Sequence, residues 1–115
     1  MSTPFAQTQG NATVTPSAPP LVRKRQIADL AREWKEATSF TSSATAMAMH
    51  PAYQQIIGMG HAALPFIFQE LRREPDHWFW ALKAITGEDP VTEVDRGKLP
   101  AMTIAWLNWA QQHGY

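Results

Sequence analysis

The apolar residues of this chain fall into short runs with a period near that of an α-helix, each run broken by a turn signal. Ile27, Leu30, Ala31 and Trp34 stand at i, i+3, i+4 and i+7 and so share one helix face. Arg23, Lys24, Arg25, Arg32 and Lys35 interleave with Asp29, Glu33 and Glu36 around the other faces, and the spacing predicts a helix over Leu21–Ala37. Thr38–Ser43 reads as a loop, because hydroxyl side chains compete for backbone hydrogen bonds and weaken a helix. Ala44–Met49 adds one helical turn. His50 precedes Pro51, which pushes it out of the helical region, while Pro51 suits the first turn of a helix that ends at Ile57 and closes on Gly58.

The second half carries stronger stripes. Leu64, Ile67, Phe68 and Leu71 repeat the same spacing, with Pro65 tolerated in the first turn. Arg72-Arg73-Glu74 ends that helix, and Pro75 is expected to open the next. There Trp78, Ala81, Leu82 and Ile85 form one stripe, and Phe79, Trp80 and Ala84 leave so little polar circumference that this should be the most enclosed helix. Gly87 supplies its C-terminal cap. Glu88–Leu99 is a polar loop with Asp89-Pro90 and Arg96-Gly97 as turn signals. Pro100 begins a last helix in which Met102, Ala105, Trp106, Trp109 and Ala110 share a face, whereas Ile104 cannot lie on the face of Trp106. No segment alternates like a strand. The expected fold is all-α, about five short helices in a single domain over 21–115. Residues 1–20 are uncharged and rich in Ser, Thr, Pro and Ala, a composition that cannot offset the entropy of ordering, and are expected to form a disordered tail.

The stretch from Ile57-Gly-Met-Gly-His-Ala-Ala-Leu-Pro-Phe-Ile-Phe-Gln-Glu-Leu71 to Trp78-Phe-Trp-Ala-Leu-Lys-Ala-Ile-Thr-Gly87 resembles a HEAT-type helical repeat. The likeness lies in a Gly-x-x-Ala start, a proline within the first helix and an apolar Leu-x-x-Ile end to the second. It covers 57–87 only, and a solenoid of such repeats would need further copies at a fixed period. His50–Tyr115 is also similar to a group of small bacterial all-α proteins sharing the phrases His-Pro-Ala-Tyr, Ile-Ile-Gly-Met-Gly, His-Trp-Phe-Trp-Ala-Leu and Ala-Ile-Thr-Gly-Glu-Asp-Pro-Val. The resemblance implies a central helical hairpin and leaves function open.

Composition removes several classes. The 115 residues include no cysteine, so disulfide scaffolds, thiolate zinc sites and cysteine nucleophiles are excluded. Ten basic and ten acidic side chains cancel, which argues against a protein built mainly to hold phosphate backbones. The zero is a cancellation along the chain: residues 21–36 carry five positive and three negative charges, and residues 37–115 carry five positive and seven negative. Neither a secretory signal nor a run of roughly 18 apolar residues is present, so a cytoplasmic location is expected, with no membrane partner.

The candidate chemistry is thin. Gly58-Met-Gly60-His-Ala-Ala63 satisfies the glycine pattern of a dinucleotide-binding turn, but helical rather than extended residues precede it and no parallel strand follows. A helix-to-helix turn whose glycines permit positive φ is the simpler reading, and no cofactor is expected. Among the histidines, His50, His61, His77 and His113, no pair has the i, i+4 spacing that aims two imidazoles from one helix at one metal. His50, His61 and His77 with Glu88 and Asp89 could still converge into a metal-dependent or acid–base enzyme site, though a capping or buried role suits each histidine better. Glu88, Asp89, Glu93 and Asp95 lack the spacing of a calcium loop and read as a solvated loop. Arg23, Lys24 and Arg25 could touch nucleic-acid phosphates, yet basic residues sit poorly at a helix N-terminus.

The aromatic residues are the unusual feature. Large rings bury on the order of 150–250 Å² each, and one small core is not expected to enclose them all. Trp78 and Trp80 point to different faces because alternate helical positions are about 200° apart. Phe66, Trp78, Trp80, Trp106 and Trp109 are therefore the candidate partner-binding residues, for another protein or for self-association. This favours a non-enzymatic interaction module, in its most specific form a regulatory or neutralising partner of another bacterial protein, as an antitoxin is.

Overall fold

A computed structural model of the chain describes residues 20–115, with side chains from residue 22 onward. The expected disordered tail, but for Pro20, lies outside the described residues. These form six α-helices and no strand: α1 Pro20–Ala37, α2 Ala44–Ala48, α3 Pro51–Gly58, α4 Leu64–Arg73, α5 Phe79–Thr86 and α6 Leu99–Gln112, with 3₁₀ turns at Gly60–Ala63 and Glu93–Asp95. The fold is thus all-α, as the periodicity predicts. No helix among the described residues is long and apolar enough to cross a membrane.

Local chemistry sets most boundaries. The α1 C-terminus is closed by Thr38, whose hydroxyl donates to the Trp34 carbonyl at 2.7 Å. Ser43 caps α2 by accepting the Ala46 N–H at 3.1 Å. His50 sits extended (φ −63°, ψ 136°) before Pro51, and its Nδ1 accepts the Ala52 N–H at 3.0 Å, so this histidine is a helix cap. Gly87 ends α5 at φ +74°, the left-handed position that glycine occupies without a Cβ penalty.

Two expectations are corrected. The turn after α3 places its positive φ at Gly60 (+64°), while Gly58 remains helical. Pro75 does not open α5, which begins four residues later. The Asp76 carboxylate accepts the His77 N–H at 2.7 Å, and the Asp76 carbonyl accepts the Trp78 N–H at 2.8 Å, folding residues 76–78 into a tight turn. The Tyr53 hydroxyl then takes the Ala81 N–H at 2.9 Å and donates to the His77 carbonyl at 3.1 Å. A side chain from α3 thereby satisfies an orphan donor in the first turn of α5 and fixes where that helix starts.

The core lies between α1, α3 and α5, with α4 and α6 closing the other end. α1 packs along α3, α3 along α5, and α4 along α6, so the closest packing is between helices that are not neighbours in sequence. At the centre Trp34, Tyr53 and Trp78 form an aromatic triangle with ring centroids 4.7–5.9 Å apart. The Trp34 indole donates to the Met47 carbonyl at 2.9 Å, whereas the Trp78 Nε1 is buried with no partner among the described residues. At the far end Trp109 stacks between His113 (3.9 Å) and Tyr115 (6.3 Å), and Arg72 reaches across to the Tyr115 carbonyl oxygen at 2.7 Å.

Candidate functional site

α5 separates two environments. Its inner side, Ala81 and Leu82 together with Trp78 just before it, is fully buried. Its outer side carries Phe79, Trp80, Lys83 and Ala84, of which Trp80, Lys83 and Ala84 are exposed. The expectation that this helix would be the most enclosed is therefore corrected: Trp80 and Ala84 on its second apolar side stay exposed. That side forms one wall of a groove whose other wall is α6.

The groove has a volume of about 700 Å³, within the roughly 300–1,000 Å³ of pockets that hold drug-sized ligands. Phe79, Trp80 and Ala84 line it from α5, and Leu99, Met102 and Trp106 from α6. Trp106, 1% exposed, belongs to its floor, while Trp80, 47% exposed, stands at its rim. The walls are apolar because the helical repeat that buries Ala81 and Leu82 turns Trp80 and Ala84 outward.

Charge is confined to one edge. There the loop between α5 and α6 turns back, with Val91 buried beneath it, and Asp89 sits half-buried. The Asp89 carboxylate accepts the Val91 N–H at 3.1 Å and Arg96 Nη1 at 2.9 Å, with Lys83 Nζ at 3.8 Å. Burial alone would raise the pKa of this carboxyl, but the Arg96 hydrogen bond, the Val91 N–H and the two nearby cations outweigh it and hold it below the usual carboxylate range. Arg96 also donates from Nε to Glu93 at 2.6 Å. Both acids on this edge are thus occupied, and Lys83, with its side chain 65% exposed, is the loosely held cation.

The five candidate partner-binding residues separate in space. Trp80 and Trp106 both line the groove, but Trp106, 1% exposed, offers a partner almost no surface, and Trp80 is the exposed ring. Trp78 is 0% exposed and belongs to the central triangle, offering no surface to a partner. Trp109 is buried in the C-terminal stack, where its indole donates to Glu88 at 3.2 Å. Phe66 is half-buried, edge-on to Trp78, and faces a separate hollow of about 300 Å³ between α1 and α4. The core encloses more rings than expected because tilted and edge-on contacts let indoles share one volume. Leu99, Met102, Lys83 and Arg96 complete the groove. The sequence signal for them was the polar loop folding back before Pro100, which brings the start of the last helix beside α5.

The alternative enzyme set assembles only in part. His77, edge-on to Phe79, and Asp89, bound to Arg96, both line the groove, whereas His50 is spent as a cap, His61 is exposed and Glu88 binds Trp109. Among the described residues no three His, Asp or Glu side chains gather as a metal ion would require. The glycines of the dinucleotide-like pattern join α3 to a 3₁₀ turn, so no strand feeds them. Lys24 and Arg25 are exposed and Arg23 is half-buried near the start of α1. No protein-family model, no curated protein and no solved structure matches this chain.

Proposed function

We propose that the protein is a non-enzymatic interaction module that holds an apolar helical segment of another protein in the groove between α5 and α6. The observation that carries this reading is Trp80, a large ring held 47% exposed at the rim of an apolar groove of about 700 Å³. Exposed tryptophan beside a concave apolar surface is the composition of an interface hot spot. No strand edge exists among the described residues for a partner to extend, so helix-in-groove recognition suits this architecture better than strand addition. A regulatory or neutralising subunit, working by occupying a partner's segment, is the role such a module fills. The HEAT-like phrases in 57–87 agree with it, since helical repeats of that kind serve mainly as scaffolds for binding.

The test compares the wild type with Trp80→Ala, Met102→Glu and a control outside the groove, Ile104→Ala, which is 61% exposed on another face of α6. Affinity capture from the native host should retain a protein on the wild type and the control that both groove variants lose. The captured protein, once purified, should bind the wild type directly and Trp80→Ala at least about tenfold more weakly, the loss expected of a hot-spot residue. Equal retention by all four chains would overturn the reading.

A further inference from the structure

Resting on that reading, we infer that the groove selects an acidic amphipathic helix, with apolar side chains against α5 and α6 and carboxylates turned toward Lys83 and the start of α6. The groove's volume of about 700 Å³ accommodates several side chains, and its apolar lining comes mostly from α5 and α6, with Ala44 of α2. A ligand helix would therefore present anchors at i, i+4 and i+7. The charge selection comes from which polar groups at the edge are already satisfied.

Asp89 accepts from Val91 and Arg96, and Glu93 accepts from Arg96. The charged side chains that line the groove are Lys83, Arg96 and Asp89, two cations to one carboxylate. Lys83 is the cation in excess. The Lys83 ammonium meets Asp89 only at 3.8 Å, and most of its side chain is in solvent. α6, fourteen residues long, starts at Leu99 on the groove wall, and Lys98 before it makes no side-chain cap. The dipole of α6 adds positive potential at the same edge, although Pro100 in its first turn has no N–H to offer. Carboxylates flanking an apolar stripe complement this pattern, and lysines in the same places would be repelled.

The experiment is calorimetric titration of the full-length protein with two synthetic helical peptides of roughly 16 residues, long enough to hold helical structure. Both carry Leu, Phe and Leu at i, i+4 and i+7; one has Glu at the flanking positions and the other Lys. At low salt the Glu peptide should bind at least about tenfold tighter, and the gap should narrow as salt screens the edge. Lys83→Glu, a change at an exposed side chain, should abolish or invert the gap. Equal affinities for the two peptides, or a gap unmoved by Lys83→Glu, would overturn the charge selection while leaving the groove as the docking site. Binding of neither peptide, or binding that Trp80→Ala does not weaken, would overturn the docking reading itself.

Discussion

Trp78 and Trp80 are two residues apart and meet opposite fates. Trp78 is sealed against Trp34 and Tyr53, fully buried, and Trp80 stands half in solvent above the groove. The same residue type serves cohesion on one side of α5 and offers surface on the other. The difference comes from what covers each side: α1 and α3 close over Trp78, while α6 approaches Trp80 from across a gap. The lesson is that the tryptophans of this chain are mostly structural, with Trp80 as the exposed one.

The contrast can be broken most severely from the inside. Trp78→Ala should cost about 3–5 kcal/mol of unfolding free energy, as for large-to-alanine changes in cores. A urea midpoint within error of the wild type would show that the triangle is not what holds α1, α3 and α5 together. Tyr53→Phe should cost about 1–3 kcal/mol, because the Ala81 N–H would be left buried without its acceptor. Hydrogen exchange should place the loss at the start of α5.

A finer cut separates the two buried indoles. Trp34 donates to Met47, and Trp78 donates to no group among the described residues. Trp34→Phe should therefore destabilise more than Trp78→Phe, by about 1 kcal/mol, the net value of one hydrogen bond. Matched urea titrations decide this, and a reversed order would contradict it.

Acid should act on the ion pairs outside the triangle. Burial opposes the charge on Glu70, but hydrogen bonds from Arg73 and Lys35 outweigh it, so its pKa is lowered, as is that of Asp89. Groups depressed in the folded state stabilise it above their unfolded pKa values, about 3.9 for Asp and 4.3 for Glu. That contribution is lost as pH falls through the folded values. Solvent access limits it to less than about 1 kcal/mol. Denaturation of a Glu70→Gln/Asp89→Asn variant between neutral pH and pH 3 should show a shallower decline than the wild type. The smallest effect on stability belongs to Trp80→Ala, within about 0.5 kcal/mol as for surface changes. A large loss would mean that the rim is part of the core after all.

Much of the fold was legible in the sequence because its punctuation is local. Pro51, Pro65 and Pro100 each lie in a first turn, and Gly87 and His50 cap helices as their types suggest. The start of α5 was not legible, because a hydroxyl from α3, Tyr53, and the turn at Asp76 decide it over the local preference of Pro75. The site was legible only in part. Periodicity places Trp78 and Trp80 on different faces but does not say which face a neighbouring helix will cover. That depends on the path of 88–98, where Asp89 and Arg96 tie the loop back and carry α6 to the far side of a gap.

One further consequence follows from the uneven burial of the indoles. Of the five tryptophans, Trp34, Trp78, Trp106 and Trp109 are 0–9% exposed, and Trp80 is 47% exposed. Under red-edge excitation, iodide should quench the emission of Trp80 and barely touch the other four. Occupation of the groove would shield that emission without any label. The chain thus carries a built-in optical gauge of whether its groove is filled.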